Sequence, residues 1–485
     1  MVANAFSAID LIRFLPEIIL TITGTILMVL DPILHKRSSH AFGHLSLAAL
    51  IAAVGGAIYA YSEPGKSFSD MLVVDGFATF FRILVISVGI LTVLSSYRFL
   101  QREDAETSEY HALLLFSVAG QCLMAASNDL IMIFIGLEIS SIASYVMAGY
   151  LRDDKRATES ALKYFLLGSF ATGFFLYGVA LIYGSTATIN LTEVHQFLSG
   201  PDVQSPVFIG LAAALMFVGL GFKVSTAPFQ IWAPDVYQGA PTPVAAFLSA
   251  GPKAAAFAVF LRIFMTAFEP ASWMPVVFGV SAFLSMTIGN FAALLQSNVK
   301  RMLGYSSIAH AGYVMVALTA HSETGTSAAM FYLAAYAFMN IGAFAVVAHL
   351  SGKGERYQTL DDFAGLAQKQ PVTAAMLTIF MLSLIGVPLT GGFFGKFYIF
   401  RAALESKLVW LTVLGLLNSA VAAYYYLRIL VMMYMHEPSK ASSEAEPLSV
   451  GLGAALAVPA ALTLLLGIFP GWVLDFAIYS ASQLK

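Results

Sequence analysis

The sequence predicts an all-α membrane protein that crosses the bilayer about 14 times. Three observations lead to this prediction. The 485 residues are 59% hydrophobic and only 11% charged, whereas an average soluble domain is about a quarter charged. Apolar runs of about 20 residues, the length of a membrane-spanning helix, follow one another along the chain. Lys and Arg are concentrated in alternate connections between those runs, as in multi-pass membrane proteins.

The predicted spans are separated by short polar connections. They lie near residues 13–34, 41–61, 76–98, 110–127, 129–150, 158–183, 206–228, 242–267, 273–295, 301–320, 325–350, 371–402, 408–435 and 449–475. Ser127, Asn128 and Asp129 provide the turn that divides residues 110–150 into two helices. The first run lacks the basic flank and the cleavage site of a signal peptide, so we expect it to remain as a helix.

The basic residues also predict an orientation. If Lys36 and Arg37 in the first connection are cytoplasmic, about thirteen Lys and Arg lie on that side and about six, including Lys485, on the other. Both termini are then expected in the periplasm of a bacterial inner membrane.

An internal repeat is visible in the chain. The segment YVMAGY at 145–150 aligns with YVMVAL at 313–318, and 157–170 aligns with 325–338 at the same offset. Units of five helices at this offset start on opposite sides of the membrane, which predicts two inverted repeats, a plan common in transporters. The predicted organisation has four parts: an N-terminal three-helix segment (1–109), two repeats (110–270 and 271–436), and a C-terminal loop and helix (437–485).

Equivalent spans of the two repeats contain helix breakers. The seventh contains Pro228, and the twelfth contains Pro388 followed by Gly391 and Gly392. Proline removes a backbone donor and clashes with the preceding turn. Broken backbone at membrane depth is tolerated only where protein or water surrounds it. We therefore predict that helices 7 and 12 are broken beside a cavity, although two ordinary proline kinks would give the same pattern.

Ionisable residues within the spans are the candidate functional groups. A charge at the membrane centre costs about 3 kcal/mol, so Glu138, Lys223, Lys253 and Lys396 are expected to face the protein interior. Burial disfavours a charged lysine and a nearby carboxylate favours it, so a buried lysine can release and regain a proton. These four residues are predicted to form a proton relay.

Other interpretations of these residues stay open. Glu138 can be a purely structural partner of a lysine, and Lys163 can extend its ammonium to the surface. His310 can be a hydrogen-bonded core histidine or a water-linked proton carrier. Arg82 is expected to be an anchor near a span end, and Asp235 is expected to be a loop residue that caps a helix.

Several function classes are disfavoured by composition. The net charge of −3 indicates no nucleic-acid partner, and a single cysteine, Cys122, excludes an internal disulfide and a cysteine-based metal cluster. The sequence has no phosphate-binding glycine loop and no histidine pair suited to haem. The chain is expected to move an ion and to carry no metal or redox cofactor of its own.

Five segments resemble the antiporter-like membrane subunits of respiratory NADH:quinone oxidoreductase (complex I), which are related to subunits of multisubunit Na+/H+ antiporters. They are GLEISSIASY, LKYFLLGSF, GLGFKVSTAPFQIWAPDVYQGAPTPVAAFLSAGPK, KRMLGYSSIAHAGYVMVAL and GVPLTGGFFGKFY. The resemblance covers nearly the whole chain and is greatest to subunit N. Subunit M is expected to have a glutamate where this chain has Lys396, and subunit L adds a long lateral helix for which no residues are expected after the last span.

The resemblance implies a role for each buried charge. Glu138 and Lys223 would form a charge pair at an entry half-channel, Lys253 would be the central relay, linked through water and His310, and Lys396 would serve a second half-channel. NADH, flavin, iron–sulfur clusters and quinone reduction would be on other subunits. The partners would be the other membrane-arm subunits and the lipid bilayer, and indirectly the peripheral arm. Two alternatives are a Na+/H+ antiporter subunit and a passive scaffold whose charges only hold helices together.

Overall fold

The computed structural model describes residues 7–34, 39–105, 107–200, 206–268 and 274–484. Three of the basic residues used to predict orientation, Lys36, Arg37 and Lys485, lie outside the described residues. The predicted boundary between the two repeats, at 270/271, lies outside them as well.

Most of the described chain is α-helical. The helices are α1 (Ala8–Arg13), α2 (Leu15–Leu34), α3 (Ser39–Tyr61), α4 (Gly76–Arg102), α5 (Ser108–Ala126), α6 (Leu130–Ala148), α7 (Lys155–Thr186), α8 (Leu191–Leu198), α9 (Pro206–Val224), α10 (Trp232–Gly239), α11 (Thr242–Arg262), α12 (Met274–Leu294), α13 (Val299–Thr319), α14 (Glu323–Leu350), α15 (Leu366–Lys369), α16 (Pro371–Ile385), α17 (Gly391–Glu405), α18 (Val409–Met435), α19 (Lys440–Glu444), α20 (Val450–Ile468) and α21 (Gly471–Ser482). A π-helical turn, Ile263–Ala267, continues α11, and a 3₁₀ turn, Leu360–Phe363, precedes α15.

Among the described residues, ten helices are long and apolar enough to cross a membrane. The other four predicted spans coincide with helices that are shorter or more polar. The apolar parts of α2 and α16 are short, Leu15–Leu30 and Pro371–Ile385. By contrast, α5 and α13 are 19 and 21 residues long but carry more polar side chains, and almost all of their residues are buried. A helix shielded from lipid by its neighbours can carry polar groups that a lipid-facing helix cannot.

The centre of the bundle is formed by α11 and α14. In the most apolar stretch of each, extended to Ala267 in the case of α11, 94% of the residues are buried. The corresponding figures for α7 and α18 are 39% and 33%, and the exposed side chains of these outer helices are largely apolar, for example Phe170 and Leu417. Apolar outer faces around a buried centre that contains polar groups are the arrangement that a bilayer stabilises.

One connection of this all-α chain contains a short pair of strands that the sequence did not predict. Residues Gly65–Ser67 and Leu72–Val74 pair as a short antiparallel hairpin, here β1 and β2. Arg13 fixes this hairpin by donating hydrogen bonds to the carbonyls of Glu63, Pro64 and Lys66. The hairpin depends on contacts with a distant arginine, which hydrophobic periodicity does not reveal.

The last predicted span, 449–475, is also divided. The helix α20 ends at Ile468, and α21 begins at Gly471, after Pro470. Near the end of the described chain, Gln483 accepts a hydrogen bond at 2.7 Å from the backbone N–H of Gly76, at the start of α4. The last predicted span therefore corresponds to two helices, and this end of the chain packs against the N-terminal segment.

Pro228 and Pro388 lie in non-helical segments. The first segment separates α9 from α10, and the second separates α16 from α17. Two serines of α12 satisfy buried backbone groups that have no helical partner in the first segment: Ser285 accepts from the Ala227 N–H at 2.7 Å, and Ser281 donates to the Ala227 carbonyl at 2.6 Å. The hydroxyls that stabilise this interruption therefore come partly from another helix.

Candidate functional site

Three lysines lie inside the helical bundle. Lys223, Lys253 and Lys396 are only 8%, 2% and 5% exposed, and they belong to α9, α11 and α17. Lys223 is the second-last residue before the interruption at Pro228, whereas Lys396 lies in the second turn after the interruption at Pro388. Because the site is built from helices that are remote in sequence, each lysine is described with its own partners.

Lys223 is held by two hydroxyl groups of α6. Its ammonium donates to Ser141 Oγ at 2.7 Å and to the Tyr145 hydroxyl at 3.0 Å. It also lies 5.0 Å from the centre of the Tyr145 ring and 5.5 Å from that of Tyr164. Aromatic faces stabilise a cation within about 6 Å, so neutral groups surround this ammonium.

We expect Glu138 and Lys223 to pair directly or through water, and the structure lacks only the direct contact. No ion pair joins the two side chains in the part of the chain that the structure describes. Glu138 Oε1 is buried and has no hydrogen-bond partner among those residues. The Lys223 ammonium instead donates a hydrogen bond to Ser141, which lies one turn after Glu138 on α6. The residue that binds the lysine thus lies on the same helix face as Glu138.

Lys253 is bound to α13. Its ammonium donates to the carbonyl of Ser307 at 2.9 Å and to the hydroxyl of the same residue. Pro252, immediately before it, lies inside α11. Lys253 is therefore an almost completely buried lysine with neutral oxygen partners at the centre of the bundle.

His310 is the centre of a tyrosine cluster on α13, α14 and α18. Its Nδ1 is hydrogen-bonded to the Tyr332 hydroxyl, and its Nε2 lies 3.1 Å from the Tyr426 hydroxyl. Tyr426 also shares a hydrogen bond with Ser306, next to the serine that binds Lys253. Hydroxyl and imidazole groups both donate and accept hydrogen bonds, so this cluster is suited to proton transfer.

Lys396 binds carbonyls at the end of α16. Its ammonium donates to the carbonyls of Leu384 and Ile385 at 3.0 and 2.8 Å, and to Ser419 Oγ at 2.8 Å. These carbonyls have no partner in a following helical turn because Gly386, with φ of +95°, ends the helix. The interruption therefore creates the binding site of the lysine.

Tyr313 connects Lys396 with the histidine cluster. The Lys396 ammonium is 4.8 Å from the centre of the Tyr313 ring, and that ring packs edge-on against His310 with centroids 5.7 Å apart. From Lys253 to Lys396, the polar groups in order are Ser307 and its neighbour Ser306, then Tyr426, His310 and Tyr313. The structure thus brings together three predicted residues, Lys253, His310 and Lys396.

Lys163 lies apart from this group, and its side chain is 42% exposed. It forms ion pairs with Glu159 at 2.7 Å and Asp235 at 2.9 Å. Asp235 also forms an ion pair with Arg301 at 2.6 Å. Asp235, expected to be a loop cap, is a helical residue of α10 that joins two cations. These groups line a polar surface cleft of about 240 Å³.

Sequence reasoning missed three ion pairs in the interior of the bundle. One joins Arg262 to Asp75 at 3.2 Å, and the other two are more completely buried. Lys300, which was counted as a residue of a connection, is fully buried and binds Glu355 at 2.7 Å. The expectation that Arg82 is an interfacial anchor is wrong, since this fully buried side chain binds Glu17 at 2.7 Å. In each case the partner is more than 50 residues away, and no local pattern shows such a contact. Within the described chain, no group of His, Cys, Asp or Glu is suited to holding a metal ion.

The sequence profile of the family "NADH:quinone oxidoreductase/Mrp antiporter, TM" matches residues 127–422. NADH-quinone oxidoreductase subunit N 1 of Solibacter usitatus is 74% identical over 486 residues, which cover 100% of both chains. A chain of respiratory complex I from Thermus thermophilus is 34% identical with a TM-score of 0.82, covering 96% of this chain and 99% of that one.

One further solved structure is similar in fold, but its sequence identity is too low to indicate more than the fold. A chain of the Mrp complex from Dietzia sp. has a TM-score of 0.85 at 21% identity, covering 99% of this chain and 98% of that one. The chain therefore belongs to the family of antiporter-like membrane subunits of NADH:quinone oxidoreductases and Mrp antiporters, in its subunit N branch.

Proposed function

We propose that this chain is the subunit N of an NADH:quinone oxidoreductase and carries protons across the membrane within its membrane arm. The observation that supports this most directly is the series of hydroxyl, imidazole and aromatic groups between Lys253 and Lys396. Hydrogen bonds join Ser306, Tyr426 and His310, and the ring of Tyr313 lies between His310 and Lys396. With water in the remaining gaps, such groups can pass a proton between two buried lysines.

The relay has four main members in this proposal. Glu138 and Lys223 take up a proton at an entry half-channel, with Ser141 and water between them. Lys253 receives it at the centre, and the cluster around His310 delivers it towards Lys396. Lys396 then releases it into a second half-channel beside the interruption at the end of α16. Lys163, in the polar cleft with Asp235, supports the entry side.

The energy for transport comes from the rest of the complex in this proposal. NADH, flavin, iron–sulfur clusters and quinone chemistry are assigned to other subunits, and no cofactor is assigned to this chain. Its partners are the other membrane-arm subunits and the lipid around the exposed apolar faces. The peripheral arm acts on it indirectly, through electrostatic or conformational coupling.

The finer architecture also forms part of the proposal. We infer about 14 spans, with inverted five-helix repeats at 110–270 and 271–436 and broken seventh and twelfth helices. The aligned segments at 145–150 and 313–318 support this, because Tyr145 and Tyr313, which start them, each lie under the ammonium of a lysine beside an interruption. The segments 1–109 and 437–485 flank the repeats, in a bacterial inner membrane with both termini periplasmic.

The experiment must also distinguish two alternative functions. The Mrp likeness concerns the fold and leaves a Na+/H+ antiporter subunit as a competing function. A passive scaffold would need the buried charges only to hold helices together, but Lys223, Lys253 and Lys396 have neutral partners in the contacts described above, which is a poor arrangement for an ionic clamp.

The decisive experiment replaces Lys253 by methionine in the intact complex. NADH-driven proton uptake by inverted vesicles should fall at least about tenfold when normalised to the assembled complex. Lys353→Met is the matched control because Lys353 is exposed and paired with Asp104 at the surface. Normal uptake by Lys253→Met would favour the scaffold, and uptake that requires added sodium would favour the antiporter.

A further inference from the structure

A cluster of uncharged polar side chains lies between Lys223 and Lys253 and has no role in the relay described so far. Gln121 on α5 is completely buried and donates from Nε2 to Ser117 Oγ at 3.1 Å and more weakly to Ser140 Oγ at 3.4 Å. Ser117 in turn lies 3.3 Å from Ser144 Oγ. Five polar groups of two adjacent helices, counting Ser141, therefore face the same small region.

The close packing of α5 and α6 places these groups together. A Cβ on Gly120 would lie 2.6 Å from the carbonyl oxygen of Gly136 and 2.7 Å from the backbone nitrogen of Ser140. Only glycine allows the two backbones to approach so closely. The side chains of Ser117, one turn before Gly120, and of Gln121, next to it, consequently reach the serines of α6.

Gln121 has one unused acceptor. Its Oε1 is buried and has no hydrogen-bond partner among the described residues. This oxygen would be 2.7 Å from a Cβ on Gly251, two residues before Lys253 on α11. A buried amide oxygen without a partner costs about 1–3 kcal/mol, so a donor that satisfies it would stabilise the site.

A small cavity borders the three serines that α6 contributes to this cluster, whereas Ser117 and Gln121 do not line it. It is lined by Met124, Ser140, Ser141, Ser144, Lys223 and Pro252, among others. It offers about 10 Å³ to the centre of a water molecule, near the lower limit for one water. Serine hydroxyls and the Lys223 ammonium supply the several polar partners that a buried water needs.

We propose that Gln121 is a positioning residue that orients water in the lateral step from Lys223 to Lys253. Its Nε2 is bonded to Ser117 and to Ser140, which lines the cavity. Its free Oε1 lies beside Gly251 of α11, where it accepts a hydrogen bond from a further water that extends the path from the cavity towards Lys253. In this step the Lys223 ammonium loses a proton and becomes a neutral amine, the neutral Lys253 amine gains a proton, and the water is unchanged. This inference rests on the proposed relay and adds an element to it.

The test compares Gln121→Met with Gln121→Glu in the complex reconstituted in liposomes. Methionine matches the size and flexibility of glutamine but cannot accept a strong hydrogen bond, whereas glutamate keeps an oxygen at the Oε1 position. We expect NADH-driven proton uptake to fall about tenfold in Gln121→Met and to be largely restored in Gln121→Glu. A packing role predicts the opposite order, because an added carboxylate disturbs a buried site more than an apolar isostere does.

A serine pair keeps the test valid if the Gln121 variants do not assemble. Ser144→Ala should slow proton uptake, whereas Ser46→Ala should not, because Ser46 is an equally buried serine that bonds only to its own helix, at Phe42. Equal uptake by the two serine variants, or normal uptake by Gln121→Met, would overturn the role of the cluster.

Lys253→Met, measured in parallel, distinguishes a failure of the proposed role of Gln121 from a failure of the proposed relay itself. If Lys253→Met blocks uptake while Gln121→Met leaves it normal, only the lateral link is refuted. If both variants transport normally, the proposed function falls with it.

Discussion

Lys396→Arg is expected to assemble normally and to slow NADH-driven proton uptake at least about tenfold, which corresponds to about 1.4 kcal/mol in the limiting barrier. Lysine and arginine both carry a positive charge and donate hydrogen bonds. Arginine, however, does not release its proton in proteins. The substitution therefore separates the need for a charge at this position from the need for a group that exchanges a proton.

The contacts of Lys396 limit the structural cost of changing it. Its ammonium donates to two carbonyls and one hydroxyl. Ser419 Oγ also donates to the Ile385 carbonyl, at 3.1 Å, so that carbonyl keeps a partner without the lysine. Only the carbonyl of Leu384 depends on Lys396 among these contacts. Losing that one bond costs about 1–3 kcal/mol, a modest loss for a chain packed in a large bundle.

The assay measures proton uptake by inverted vesicles with a pH-sensitive dye and divides it by the amount of complex on a native gel. Lys353→Arg serves as the control, since this lysine is 63% exposed and forms its ion pair at the surface. Lys396→Glu should retain part of the uptake because a carboxylate also exchanges a proton. Uptake at the wild-type rate in Lys396→Arg would show that charge alone suffices, and the relay role of Lys396 would be abandoned.

Three further changes test other parts of the site. Glu138→Gln should reduce proton uptake more than the yield of assembled complex; equal loss of both would indicate a structural role. Lys300→Met leaves Glu355 buried without its cation, at a cost of about 3–5 kcal/mol, so thermal unfolding of the purified complex should begin at a lower temperature, and an unchanged transition would contradict this. Tyr145→Phe removes a hydroxyl bonded to a lysine, whereas the hydroxyl of Tyr313 has no described partner; uptake should therefore fall in Tyr145→Phe and stay normal in Tyr313→Phe.

The sequence was most informative about long helices. The predicted span 325–350 corresponds to Glu323–Leu350, and 408–435 corresponds to Val409–Met435. Such agreement is expected because the thickness of the bilayer fixes the length of an apolar run. The hairpin at Gly65–Val74 and the separate helix Gly471–Ser482 were not predicted, because both are short and depend on tertiary contacts.

Candidate residues could be selected from sequence because a charge within an apolar run is costly and therefore rarely accidental. This criterion selected Lys223, Lys253 and Lys396, all of which are buried. It could not select their partners. Ser307 and Tyr426 are ordinary residues of helical spans, and they acquire a role only because the fold brings α11, α13 and α18 together.

The buried cations of this protein are of two kinds, which differ in the chemical group that binds them. Three cations lie against carboxylates: Arg82 with Glu17, Arg262 with Asp75 and Lys300 with Glu355. The candidate relay lysines are Lys223, Lys253 and Lys396. They instead contact hydroxyl groups, carbonyl groups and aromatic rings, and none of them forms an ion pair with any described residue. A carboxylate stabilises the charged state and holds the proton on its partner, whereas a hydroxyl or carbonyl oxygen accepts a hydrogen bond from either an ammonium or a neutral amine. The first arrangement suits a permanent link between helices, and the second suits a site whose charge comes and goes. The division between ion pairs in the framework and lysines without ion pairs is therefore the one that the proposed relay requires.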